Sequence, residues 1–530
     1  MSTLTGTGHL ARLILRRDRI VLPLWVLLLT VLPVSYAGSF FALFPTAAER
    51  AAYVTGTARN PSVVALLGPV YGDSVGALTA QRGGFLQVIV GLAALLTVIR
   101  HTRTEEEAGR RELLGATVLG RYAGLTAALL VTYAASLLLG LLTAAGLAAT
   151  GLPAAGSLAY GLSAALVGVV FATVGGLAAQ LTQTAGGARG IAVGVLGVAF
   201  TLRLVGDTSE HGWPSWLSPL GWAARIRAYA GEHWWVLALP VALTVLLAVV
   251  AYPVSVRRDL GAGVLPSRPG PVRAGRVLSG PFGLAWRLHR GPLLGWSVGF
   301  LLLGSVVGGA AEAAGRSVAG NAALEQVMAR LGGASGLAEA YLGVSLGVAG
   351  LAAAGYGVQA ALRMRSEEAA GRAEPVLATG VHRSTWLAAH LVFVLLGPVV
   401  VLALVGLAAG LTYGLSIGDV PGQLPRMLGA GLAQVPAAWV LAGLAVLLYG
   451  LLPRLSPAAW AVLAVVVLLG QLGAVLELSQ WLLDLSPFTH TPQVLRAGWS
   501  VTPLLALTVL AGVFCAVGFA SFRRRDIPVG

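Results

Sequence analysis

The sequence predicts an all-α polytopic membrane protein: twelve transmembrane helices in two parallel six-helix repeats, with amphipathic interfacial helices and short cytoplasmic coupling helices. Three observations predict it. The 530 residues are 57% hydrophobic and only 11% charged, with a mean hydropathy of +0.82, a composition that a soluble domain cannot place on its surface. The apolar runs are long and unbroken rather than alternating, which makes them helices and not outer-membrane strands. Finally, RTEEEAGRRE at 103–112 returns 262 positions later as RSEEAAGRAE at 365–374, with seven of ten residues identical, and so divides the chain into two homologous halves.

A span needs roughly 20 apolar residues to cross a hydrocarbon core. The first half supplies runs at about 20–42, 83–100, 119–149, 157–185, 190–205 and 234–255. The second supplies 292–311, 341–363, 385–413, 428–452, 456–476 and 502–520. Glycine is frequent within them, as in 140–151 and 343–357, which suits close helix packing in lipid.

The repeat extends beyond the charged segment. Leu217-Ser218-Pro219 recurs as Leu485-Ser486-Pro487 before the sixth run of each half, and Arg257-Arg258-Asp259 recurs after it as Arg524-Arg525-Asp526. Gly176-Leu177-Ala178 and Gly443-Leu444-Ala445 keep the same register, as do the starts LARLILRRDR and LAWRLHRGPL. Both halves have six spans and begin on the same side, so the repeats are parallel rather than inverted. The organisation expected is residues 1–260 and 284–530 as the two repeats, joined by a Pro/Gly-rich cytoplasmic linker at 261–283 containing Pro266, Pro269, Pro271 and Pro281.

Ahead of each first span lies a short amphipathic stretch. Leu10, Leu13 and Ile14 share one helical face and Arg12, Arg16 and Arg19 another, as in a helix at the headgroup boundary. Residues 284–290 are the counterpart, with Trp286 as an interfacial anchor. Plain positive flanks to the spans are the competing reading.

Arginine placement sets the orientation. With the N-terminus inside, cytoplasmic segments hold 25 Arg against 10 Asp/Glu and external segments 10 against 11, so both termini are expected in the cytoplasm. The net charge of +14 then reflects membrane topology. No basic motif with interleaved aromatics points to nucleic acid. The first apolar run lacks a small-residue cleavage site, so no cleavable signal is expected. All 35 basic residues are Arg. A P-loop needs a lysine to reach the β- and γ-phosphates, so an ordinary nucleotide-hydrolysing site is not expected in this chain, nor is Schiff-base chemistry. The lone Cys515 lies in the last span, a packing position. The eight His form no ligand-like spacing.

The charged loops fall between the second and third spans of each half. Glu106–Arg110, Glu107–Arg111 and Glu368–Arg372 are i,i+4 pairs in the favourable order, which predicts a short surface helix. Gly109 and Gly371 remove a side chain at its middle, leaving room for a partner surface. Such a helix lying parallel to the membrane is a handle for a cytoplasmic motor; a solvated loop that only sets topology is the bland alternative. Polar residues inside spans, Gln87, Gln180, Gln359 and Gln434, suit either a central substrate path or interhelical hydrogen bonds. Trp213, Trp216, Trp222, Trp234 and Trp235 in one outer segment and Trp481 and Trp499 in the other suit interfacial belts or re-entrant helices of an external gate. Glu312 and Glu477 fall near outer span ends, and so few buried acids make a proton relay hard to build.

Two sets of six spans, amphipathic leaders, an R-x-E-E-x-x-G-R-x-E loop after each second span and Ser-Pro before each sixth resemble the ABC-2 type permeases. The fused duplication, the closing RRRDIPVG and the Ala/Arg-rich composition are most similar to the actinobacterial exporters of tetronasin and other polyketide antibiotics. The resemblance implies a non-enzymatic permease in the bacterial cell membrane that exports hydrophobic antibiotics or other drugs. It implies two copies of a cytoplasmic ABC ATPase, which bind the ATP and Mg and dock on coupling helices near 103–114 and 365–376. Residue by residue, it carries the coupling role onto Arg103, Glu105, Glu106, Gly109, Arg110 and Glu112, and onto Arg365, Glu367, Glu368, Gly371, Arg372 and Glu374. The second loop departs from the first at Ala369, Ala373 and Pro375, so the first copy is expected to carry more of the contact. A gradient-driven transporter of major-facilitator type is the rival, but EEEAGRRE matches poorly the Gly/Asp/Arg loop such proteins carry. A membrane-embedded transferase would need intramembrane carboxylates or a metal.

Overall fold

A computed structural model of the chain describes residues 3–110, 119–209, 212–259, 261–265, 280–316, 333–472 and 479–526, with Gly275 and Leu278. Among the described residues every regular element is a helix. Eleven helical stretches among the described residues are long and apolar enough to cross a membrane: Val21–Leu43, Val75–Glu107, Ala123–Ala149, Ala154–Leu181, Ala185–Thr208, Trp234–Arg257, Pro281–Glu312, Ala338–Ala369, Arg383–Ile417, Val420–Leu451 and Val501–Arg524. The protein is therefore an all-α polytopic membrane protein. The twelfth expected span, 456–476, corresponds to the apolar helix Ala458–Leu472. Its 15 residues rise about 22 Å, short of a bilayer core of about 30 Å, and residues 473–478 lie outside the described part.

The chain divides into two compact units, Met1–Gly270 and Pro271–Gly530. In the first, Thr7–Arg17 is the expected amphipathic helix, burying Ile14 and exposing Arg12 and Arg16. It ends at Asp18, whose buried carboxylate meets Nε2 of His101 at 2.6 Å, so the leader is tied to the end of the second span. Ala154–Leu181 is the central helix of this unit, packed against Ala123–Ala149, Leu86–His101 and Ala238–Arg257. Gly140 and Gly161 face each other where it crosses Ala123–Ala149, and a Cβ on either would overlap the other's carbonyl oxygen. The expected glycine packing holds at Gly140 and, in the second run, at Gly350 and Gly357, whereas Gly343 and Gly347 have open space around them.

The second unit has one continuous helix, Pro281–Arg316, where a separate amphipathic stretch at 284–290 was expected. The reason is its buried face. Ala285 and His289 stand one turn apart and both are buried, and His289 Nε2 meets Nδ1 of His390 in Arg383–Ile417 at 2.9 Å, so the leading turns are packed rather than laid aside. The expected span 428–452 lies within the helical stretch Val420–Leu451, interrupted by a single turn. Val420–Leu432 and Val435–Leu451 are separate helices, joined through Ala433 and the buried Gln434. Val435–Leu451 packs along Val501–Arg524 at a close approach of Gly450 to Gly518 that no Cβ would permit.

The repeated Ser-Pro is a helix start in both units. Ser218 Oγ accepts from the amides of Leu220 and Gly221 and donates to Ala199 O, while Ser486 Oγ accepts from Phe488 N. Each serine caps a helix whose first residue is the proline, the position where a missing N–H costs nothing. Nearby, Trp213, Trp235, Trp481 and Trp499 are each about three-fifths exposed.

Candidate functional site

In the first unit the second span ends at His101, and a short helix, Arg103–Glu107, follows. Its inward side is a closed ionic node. Glu106, with 2% of its side chain exposed, accepts from Arg258 through both oxygens, Oε2 from Nη1 at 2.9 Å and Oε1 from Nη2 at 2.8 Å. Arg103 also donates to Glu106, and its Nη2 donates to the carbonyls of Thr182 and Ala262. Arg258 Nε donates to Gln180 Oε1 at 2.7 Å. Around this node the segment after Arg258 runs beside the end of Ala154–Leu181, with Val264 N and Leu265 N bonded to Gln180 O and Leu181 O. Two guanidiniums surround one carboxylate and backbone carbonyls take up further donors, while Arg103 Nε is buried without a hydrogen-bond partner.

Other members of the motif reach sideways. Glu105 pairs with Arg17 of the amphipathic helix and with Arg110, each at 2.7 Å. Glu107 accepts from Ala185 N at 2.8 Å, at the start of Ala185–Thr208. Arg110 keeps 50% of its side chain exposed, and its hydrogen bond to Glu105 raises its pKa above the ordinary value.

The second unit repeats the carboxylate–guanidinium pair with different surroundings. Glu368, with 3% of its side chain exposed, accepts from Arg525 at 2.8 Å and 2.6 Å and from Tyr449 Oη at 2.7 Å. Arg525 lies over the rings of Tyr449 and Phe522 at 5.1 and 5.2 Å, and Phe522 stacks in turn on Trp386. Burial works against the charge of Arg525, but its bonds to Glu368 raise its pKa. Glu367 pairs with Arg363 and Arg372. Gly371, Arg372 and Glu374 are exposed and Arg365 is half-buried.

The structure therefore gathers the motif residues, though not as an i,i+4 ladder. Arg110 bonds Glu105 rather than Glu106, and Arg372 bonds Glu367, because the second glutamate of each copy is turned inward to its arginine. Arg111, the expected partner of Glu107, and Glu112 lie outside the described residues. In the second unit the motif starts at the end of the long helix Gly333–Ala369, turns at Gly371, and finishes in the short helix Ala373–Ala378. The glycines differ from expectation as well. Gly109 and Gly371 have φ of 70° and 67°, so they end their helices. At Gly371 the paired bonds Gly371 N to Glu368 O and Arg372 N to Glu367 O form a Schellman stop. The expected substrate-path glutamines scatter. Gln180 belongs to the ionic node and Gln359 is exposed and accepts from Trp296 Nε1. Gln87 and Gln434 are buried with an unpartnered Oε1.

Sequence reasoning missed Arg258, Arg525 and Tyr449 as members of the site. A signal for the two arginines is present in the recurrence of Arg-Arg-Asp after the sixth span of each half, but the recurrence by itself marks only the register of the repeat.

These features define the class, a multi-pass α-helical membrane protein with one stapled charged loop in each of its two units. Over 527 residues the chain is 45% identical to the multidrug efflux system permease protein Rv1217c of Mycobacterium tuberculosis (strain ATCC 25618 / H37Rv), covering 99% of this chain and 96% of that protein. Residues 278–523 match the family model described as multidrug efflux system permease Rv1217c, C-terminal domain. The chain belongs to this family of multidrug efflux system permeases.

Proposed function

We propose that the chain is the permease subunit of an ATP-driven exporter of hydrophobic drugs, of ABC-2 type, in the bacterial cell membrane with both termini in the cytoplasm. Two copies of a separate ATPase, holding the ATP and Mg, dock on the charged loops, one beneath each repeat. The observation that carries this reading is the two-sidedness of each loop. Its inner side is fastened by buried ion pairs, while Glu107, Arg110, Gly371, Arg372 and Glu374 remain exposed. A loop meant only to set topology needs charge but no internal fastening. Membership in the efflux permease family supports drug export, and the all-Arg composition supports a motor supplied in trans. Within this reading the exposed charges make the contact, and Glu106 and Glu368 hold the loop in shape.

Isolation of the full chain from its native membrane tests the reading. A soluble ATP-hydrolysing chain is expected to co-purify at two copies per permease and to be lost in Arg110→Glu/Arg372→Glu. Retention of that chain by the double variant, or isolation without any ATPase, overturns it.

A further inference from the structure

The last helix of each unit, Trp234–Arg257 and Val501–Arg524, is the least buried of that unit's spans, at 17% and 22%. Each lies mainly along a single neighbour, Ala154–Leu181 in one unit and Val435–Leu451 in the other. Each last helix therefore has one main packing partner in its own unit rather than several. At the end that carries the charged loop, each is followed at once by the arginine that grips the loop: Arg258 after Arg257 and Arg525 after Arg524. The same two-oxygen grip on the second glutamate of the motif occurs in both units, although everything around it has changed from a polar node to an aromatic stack. A contact kept while its surroundings diverge marks the pair itself as the constant element.

We propose that Arg258 and Arg525 are positioning residues that tie each docking loop to the last helix of its own unit, so that force applied at the loop is delivered to that helix. The inference rests on the docking reading above. A forked guanidinium is well suited to such a tie, because two parallel bonds to a carboxylate resist rotation as well as separation, which a single ammonium contact does not. The two ties differ in stiffness. Arg103 binds the first loop additionally to the carbonyls of Thr182 and Ala262, so the first tie spans the ends of two helices, whereas the second bears on the Tyr449–Phe522–Trp386 stack.

The test uses the permease with its ATPase in membrane vesicles and reads three quantities: ATPase bound, ATP hydrolysed, and drug moved per ATP. Arg525→Ala is expected to keep the first two and to lower the third at least about fivefold, the low end of coupling between distant sites. Arg525→Lys, which keeps the charge but loses the fork, should fall between, and it carries the test if the alanine variant does not reach the membrane. The exchange Glu368→Arg/Arg525→Glu should recover most of the loss. Wild-type drug per ATP in Arg525→Ala overturns the proposal, as does a parallel fall of all three quantities with no recovery in the exchange variant. Failure of the docking reading shows separately, as undiminished ATPase binding in Arg110→Glu/Arg372→Glu.

Discussion

Glu106 and Arg258 lie 152 residues apart in sequence and form a two-oxygen ion pair at 2.8 and 2.9 Å, buried where the charged loop meets the end of the sixth span. Glu368 and Arg525 repeat it in the second unit across 157 residues. The motif that looks from sequence like a surface handle is therefore half internal, which changes which substitutions disturb folding and which disturb docking.

Tyr449 separates the two contributions to the second pair. Tyr449→Phe removes the hydrogen bond to Glu368 but keeps the ring under Arg525 and against Phe522, and it should cost about 1.5 kcal/mol. Tyr449→Ala removes both and should cost about 3–5 kcal/mol. Thermal unfolding in detergent measures the difference; equal losses would show that the ring contributes nothing.

Gly371 tests the left-handed stop. Its φ of 67° favours glycine, yet an added Cβ meets nothing within 4 Å, so the penalty is conformational and not steric. Alanine should cost about 1 kcal/mol, asparagine less, and valine the most. A thermal series in the order Gly, Asn, Ala, Val supports this; a flat series contradicts it.

Gly140 and Gly343 are both glycines within spans and should behave oppositely. Gly140→Leu forces apart two helices that touch through backbone, at about 1–3 kcal/mol or with loss of the folded protein. Gly343→Leu enters open space and should leave stability unchanged or slightly raised. A comparable fall for both would refute the packing argument.

Arg203 is 1% exposed; it donates to the carbonyls of Ala65, Leu66 and Gly84 and lies 3.7 Å from Asp207. Arg203→Met leaves the carbonyls without their donor and Asp207 without its buried ion-pair partner, at about 3–5 kcal/mol, and should open the segment 44–74 to proteolysis. Cleavage at the wild-type rate would show that Arg203 does not pin that segment.

Much of the architecture is legible in the sequence because lipid imposes few solutions: apolar runs of span length must be helices, and eleven of the twelve expected runs correspond to helical stretches long enough to cross among the described residues. The span expected at 428–452 has one interrupting turn at Ala433 and the buried Gln434, and the end of 456–476 lies outside the described residues. The leader at 284–290 merges with its span because His289 meets His390, a partner 101 residues away that no local periodicity encodes. The motif residues are legible as a repeat, but their direction is not. Helical spacing pairs Glu106 with Arg110, and only the fold brings Arg258 close enough to take the carboxylate. Of the two readings open for Gln180, its bond to Arg258 is a contact between segments, and sequence alone does not separate them, since a polar residue in an apolar run looks alike whether it lines a path or braces an arginine.

The most direct measurement of ATP-driven export is drug uptake into inverted membrane vesicles containing the permease and its partner. Uptake that requires ATP hydrolysis and continues when a protonophore has collapsed the proton gradient is the predicted result. Uptake driven by an imposed gradient without ATP, or abolished by the protonophore while ATP is present, would contradict the account.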